Sequence, residues 1–122
     1  MQFARESAQR HAIQKYNLTT VTIAEQTYEG SLAISAETLL EDWQCTSIEA
    51  LSDTLIDRLV ALNPEVIILA TGATVVFPNA ALLHPVMRSG IGIEVMNDGA
   101  AIRTFNVLLS ESRQVVLALI RG

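Results

Sequence analysis

Residues 66–70 read Val-Ile-Ile-Leu-Ala, residues 91–96 read Ile-Gly-Ile-Glu-Val-Met, and residues 115–120 read Val-Val-Leu-Ala-Leu-Ile. A run that is apolar at successive positions has no wet face, as expected of a strand covered by helices on both sides. Three such runs, separated by stretches of helical spacing, predict an α/β arrangement in which all three share one sheet. None approaches the ~20 apolar residues needed to cross a bilayer, so no direct membrane insertion is expected.

Working outward, the segments between these runs read as helices. Asn79 to Ser89 has helical spacing and stops at Gly90, a residue suited to a helix C-terminus. Pro85 inside it removes one hydrogen bond and crowds the preceding turn, predicting a kink or a late start near His84. Asn97 or Asp98 is placed to cap a helix reaching about Glu111, with Ala101, Ile102, Phe105, Leu108 and Leu109 in one apolar arc. Upstream, Thr46 and Glu49 form a capping-box pattern. Ile48, Leu51, Leu55, Ile56, Leu59 and Leu62 then follow helical spacing up to Asn63-Pro64, where the residue before proline leaves the α region.

The first third is β-rich. Thr19–Ile23 alternates, and Tyr28, Leu32 and Ile34 alternate with Glu29, Ser31 and Ser35 as one half-buried strand. A further strand is expected around His11 to Tyr16, and Leu39, Leu40 and Trp43 should pin the next segment to the core. One domain over residues 1–122, with a mixed sheet and helices against it, is the expected architecture.

The 122 residues carry 8 basic and 13 acidic side chains, for a net charge of −5. That balance, with Lys15 the single lysine, argues against nucleic-acid binding, which needs clustered cations. Cys45 is the only cysteine, so a disulfide-stapled secreted scaffold is excluded. It is read as an inert packed thiol, with no basic residue nearby to lower its pKa. Met1 to Arg10 lacks an apolar leader core, and the expected location is cytoplasmic.

Few residues point to chemistry. Thr71-Gly72-Ala73-Thr74 follows a buried strand, where open α/β sheets tend to bind ligands. It is no phosphate-binding loop, because no Gly-Lys-Ser/Thr follows, and a tight turn explains the glycine. Gly90-Ile91-Gly92 enters a strand instead of a helix, so it is no dinucleotide fingerprint. His11 and His84 belong to no metal-spaced cluster, and no metal or cofactor is expected. No serine sits in a nucleophile-elbow context, and no catalytic residue set is assigned. On the last helix, Arg103, Asn106, Val107 and Ser110 lie opposite the apolar arc. A valine beside Arg and Asn fits the rim of a pocket or a protein contact.

The segment from Val66 to Ile120 resembles the Mth938-like domain family. It carries the Gly-Ile-x-x-Glu-Val-Met stretch, the Ala-Ala-x-Arg-Thr-aromatic-Asn-Val-Leu helix and the Glu-x-Arg-x-Val ending. The Tyr28–Ile34 strand and Trp43 fit more loosely. The resemblance implies a three-layer α/β fold, a mixed central sheet with helices packed on it and an additional β-rich N-terminal layer. It implies no catalytic residue set. The family pattern has Gly where Ala70 stands, Thr at Asp98 and Tyr at Phe105, while Gly72, Arg103, Thr104, Asn106, Glu111 and Arg113 match it.

Eukaryotic members of the family include a mitochondrial respiratory complex I assembly factor. The expectation is a non-enzymatic accessory or assembly protein with an unidentified protein partner, in membrane-protein or respiratory-complex biogenesis. Gly72, Arg103, Asn106, Val107 and Ser110 are the contact candidates. The alternative is a small-molecule-binding protein or enzyme with a pocket near Gly72, Arg103 and Asn106.

Overall fold

The computed structural model describes residues 10–122; the leader reading of Met1 to Arg10 falls almost wholly outside them. Two sheets are built from eight strands. β1 (Ile13–Tyr16), β2 (Thr20–Ile23) and β3 (Gln26–Glu29) form an antiparallel meander. β4 (Leu32–Ile34), β5 (Leu39–Leu40), β6 (Val66–Ala70), β7 (Gly92–Met96) and β8 (Val115–Leu119) form a mixed sheet in the order β5-β4-β8-β6-β7. β6 runs parallel to both β7 and β8, whereas β4 is antiparallel to β8. The three apolar runs therefore do share one sheet.

Parity along β8 shows why that sheet needs cover on both sides. Val115, Leu117 and Leu119 join a cluster with Ile102, Phe105 and Leu109 of α3 (Asp98–Ser110) and with Ile13, Val21 and Ile23 of the meander. Val116, Ala118 and Ile120 join the opposite cluster, with Ile56 and Leu59 of α1 (Asp53–Val60) and Val86 of α2 (Ala80–Arg88). Alternate residues point to opposite faces of a strand, so each run supplies both cores. The layers are α1 and α2, the mixed sheet, then α3 beside the β-rich meander.

Two local expectations are corrected, and the late start considered for the Asn79–Ser89 helix does not occur. The helix expected from Thr46 begins instead as a 3₁₀ turn, Ile48–Ala50, and Ser47 makes no capping bond. Leu51 is extended, and α1 starts afresh with the Ser52 side chain accepting from the Leu55 N–H. The expected strand through Tyr28 to Ile34 is two strands in different sheets. The break falls at Gly30, whose φ of +81° is a conformation glycine adopts without steric cost. Pro85 lies inside α2, which nevertheless starts at Ala80, capped by Asn79. Trp43 is buried as expected, its Nε1–H donating to the Leu55 carbonyl at 2.9 Å.

Candidate functional site

The chain leaves β6 at the carboxyl end of two parallel strands and takes nine residues, 71–79, to reach α2. The first of these are tied down. Thr71 donates its N–H to the Met96 carbonyl at 3.0 Å. Its hydroxyl donates to the Thr74 carbonyl at 2.7 Å and accepts from the Val76 N–H at 3.1 Å. Gly72, at φ +94°, makes the expected tight turn. Its N–H donates to Asp98 Oδ1 at 2.8 Å, and its carbonyl accepts from the Asp98 N–H at 2.8 Å.

Asp98 is thereby the hub of this end of the molecule. Asn97, one residue earlier, is the cap of α3, its side chain accepting from the Ala100 N–H. Asp98 is free to face inward, and its Oδ2 accepts from Arg121 Nη2 at 2.8 Å. Both side chains are only 4% exposed. Burying two charges is costly, so their geometry has to return that cost. Here the carboxylate also takes a backbone N–H, while Arg121 Nε and Nη1 lie buried with no protein partner. The Arg121 N–H donates to the Cys45 carbonyl, so one ion pair fastens the loop root, α3, the end of β8 and the Cys45 segment.

Sequence reasoning assigned no role to Arg121. The signal was available: Arg121 continues the parity of Val115, Leu117 and Leu119, which places it on the face covered by α3. Asp98 read as one of two candidate caps of this helix, a place that Asn97 takes.

Beyond its fastened root the loop carries three consecutive exposed apolar side chains, Val75, Val76 and Phe77, with Phe77 74% exposed. Beside Val76 lies a shallow depression of about 240 Å³ between the Thr46–Glu49 segment, Thr71 and Ile120.

The contact candidates on α3 divide along its length. Asn106 clamps the start of the meander, its Oδ1 accepting from the Ile13 N–H at 2.9 Å and its Nδ2 donating to the Ile13 carbonyl at 3.0 Å. Ser110 donates to the Val107 carbonyl one turn back. Arg103 and Val107 are exposed, with Val107 at 53%. Gly72 and Arg103 sit at the same end of the molecule, through Asp98 and the first turn of α3. Asn106 is held away against Ile13.

Cys45 is buried, its thiol donating to the Ser47 carbonyl at 3.3 Å, and burial pushes its pKa up. His11 Nδ1 lies 2.7 Å from the Ser35 carbonyl. Among the described residues no three of His, Cys, Asp and Glu come together as a metal cluster. No helix among them is long and apolar enough to cross a membrane.

Comparison with known proteins gives the following. The profile of a family described as a protein of unknown function, DUF498/DUF598, matches residues 13–120. The zebrafish (Danio rerio) NADH dehydrogenase [ubiquinone] 1 alpha subcomplex assembly factor 3 is 30% identical over 118 residues, covering 95% of this chain and 67% of that protein. A Francisella tularensis protein named 13 kDa major membrane protein is 28% identical over 94 residues, covering 76% of each. An NMR structure from Xanthomonas campestris superposes with a TM-score of 0.83 at 38% identity, over 91% of this chain and 84% of that one. A Bordetella pertussis structure described as a Mth938-like domain shares the fold, with a TM-score of 0.79 at 21% identity over 92% and 86%.

Proposed function

We propose that this chain, which belongs to the family of unknown function DUF498/DUF598, is a non-enzymatic accessory protein that binds another protein during the biogenesis of a membrane-bound complex. The observation that carries this reading is the loop tip Val75–Phe77. It exposes consecutive apolar side chains on a root held by the Gly72–Asp98 hydrogen bonds. An ordered, exposed apolar surface marks a contact site, because covering it removes hydrocarbon from water with little ordering cost to the loop.

Two further points support it. Two of the three residues that a small-molecule pocket near Gly72, Arg103 and Asn106 would use have their polar groups engaged within the chain: the Gly72 N–H by Asp98 and the Asn106 amide by Ile13. One relative is named an assembly factor of the NADH dehydrogenase 1 alpha subcomplex, and another is named a major membrane protein. Such kinship suggests a process and transfers an activity only weakly.

The test is affinity purification of the tagged chain from its native cell, beside Phe77→Ser. Subunits of a membrane complex should co-elute with the unsubstituted chain and be depleted with the variant. A thermal-shift screen of metabolites on the purified chain supplies the contrary result. A ligand at 100 times its Kd stabilises by about 2.7 kcal/mol, and one clear hit would favour the small-molecule reading.

A further inference from the structure

An unpaired strand edge can take a strand from another chain, which matters in a protein read, as above, as a protein-binding accessory. β3 ends the meander, in the order β1-β2-β3. The Gly30 N–H donates to the Thr19 carbonyl at 2.9 Å, so the Gly30 backbone faces β2, and with it those of Tyr28 and Gln26, two and four positions back. The backbone N–H and C=O groups of Thr27 and Glu29 point the other way. They have no partner among the described residues.

A groove of about 220 Å³ lies against this edge, with Thr27, Glu29, Ser31 and Glu41 in its walls. Ser31 is only 4% exposed, and its Oγ accepts from the Cys45 N–H at 3.0 Å. A hydroxyl has a proton to donate as well, and that of Ser31 meets no acceptor among the described residues. Glu29 and Glu41 are exposed, and neither belongs to an ion pair among the described residues. No basic side chain lines the groove. Nor does a third His, Cys, Asp or Glu join the two acids in a metal cluster among those residues. A second copy set against β3 by its own β3 would bring in the same acids, and by its β7 the exposed Glu94. Like charges meeting across a strand pair are destabilising. Charge complementarity therefore selects a basic chain.

We propose that the β3 edge takes an extended, basic segment of the partner protein as a fourth strand of the meander, with Lys or Arg side chains set against Glu29 and Glu41. Main-chain hydrogen bonds to Thr27 and Glu29 supply the binding, and the Ser31 hydroxyl donates to a carbonyl of the incoming segment. The two carboxylates choose its charge.

The test titrates the isotopically labelled full chain, followed by NMR, with blocked Val-Lys-Val-Lys-Val, with Val-Glu-Val-Glu-Val, and with the lysine peptide methylated at every backbone nitrogen. Saturable shifts are expected along residues 26–31, with the lysine peptide bound about tenfold more tightly than the other two. Amide exchange should slow at Thr27 and Glu29, which gain partners, and stay unchanged at Tyr28, which already has one. Glu29→Gln with Glu41→Gln should abolish the preference for lysine over glutamate at an unchanged melting temperature. Thr27→Pro, which removes an outward N–H and no bond to β2, should weaken the lysine peptide. Equal binding of the lysine and glutamate peptides, or a preference that survives the double glutamine variant, would overturn the basic segment. Equal binding of the methylated peptide, or slowing at Tyr28 as large as at Thr27, would overturn strand addition. Dimerisation in sedimentation that Thr27→Pro abolishes would replace the partner by a second copy. Phe77→Ser should leave the titration untouched, which separates the two proposals. A failed titration beside a Phe77-dependent partner removes only the strand site. A lysine-selective titration with no co-purifying protein removes only the accessory reading.

Discussion

Two phenylalanines, Phe105 in the middle of α3 and Phe77 at the tip of the loop after β6, have the same side chain and opposite surroundings. Phe105 is fully buried among Ile102, Leu109 and the inner residues of β8, while Phe77 is 74% exposed. Phe105 therefore draws its stabilisation from this chain's own packing. Phe77 contributes little to that packing, and its surface becomes useful only when something else covers it. The loop root explains how the molecule tolerates this: Thr71 and Gly72 are fastened by hydrogen bonds to β7 and Asp98, so the tip is presented without the fold depending on it.

The largest effect belongs to the buried side of this contrast. Phe105→Ala should lose about 3–5 kcal/mol, the transfer free energy of the ring plus the cavity left behind. In a domain of ~5–15 kcal/mol total stability, much of the protein would be unfolded or aggregated. Denaturant unfolding measures it directly, and a loss near 1 kcal/mol would mean that the α3 core collapses easily around the gap.

Asp98→Ala should follow closely, at about 3 kcal/mol, because it strands the buried Arg121 guanidinium and frees the Gly72 N–H. It would also distinguish the root of the loop from its tip. Amide exchange at Gly72 and Val76 should accelerate in this variant, well before exchange in β6. Unchanged exchange there would show that the Asp98 contact is not what holds the loop.

Val107→Ala stands far lower. Val107 shares a helix with Phe105 but is half exposed, and its truncation should change stability by ~0.5 kcal/mol or less. Equal losses from Val107→Ala and Phe105→Ala would show that both sides of α3 serve the core. No contact face would then remain on this helix.

How much of this was legible in the sequence depends on the range of the interaction. The strands β6 and β8 were legible because a strand buried on both sides has few alternatives, and α3 because its arc is regular over three turns; β7, by contrast, is an edge strand with Gly92 and Glu94 exposed. The β2–β3 hairpin was hidden. Its two-residue turn is Ala24-Glu25, both at positive φ, where Asn-Gly would have announced it. The Tyr28–Ile34 break was hidden because period-two alternation runs through Gly30 without showing that the strands on either side enter different sheets. The apparent helix from Thr46 failed because Ser52, a second good cap, restarts the chain at a point that apolar spacing alone does not mark. Asn106 could be placed opposite the apolar arc, yet its partner, Ile13, is 93 positions away. The Asp98–Arg121 pair needed the strand parity of β8 combined with the orientation of α3, a tertiary fact.

The central claim is that the Val75–Phe77 tip is surplus to the fold and therefore available to a partner. Its most direct test is the unfolding free energy of Phe77→Ser, measured by denaturant titration beside the unsubstituted chain. A difference within about 0.5 kcal/mol is expected, because an exposed ring removed from a fastened loop forfeits little packing. A loss of about 2 kcal/mol or more, the scale of a buried aromatic, would show that Phe77 holds the chain's own structure together, and would contradict the claim.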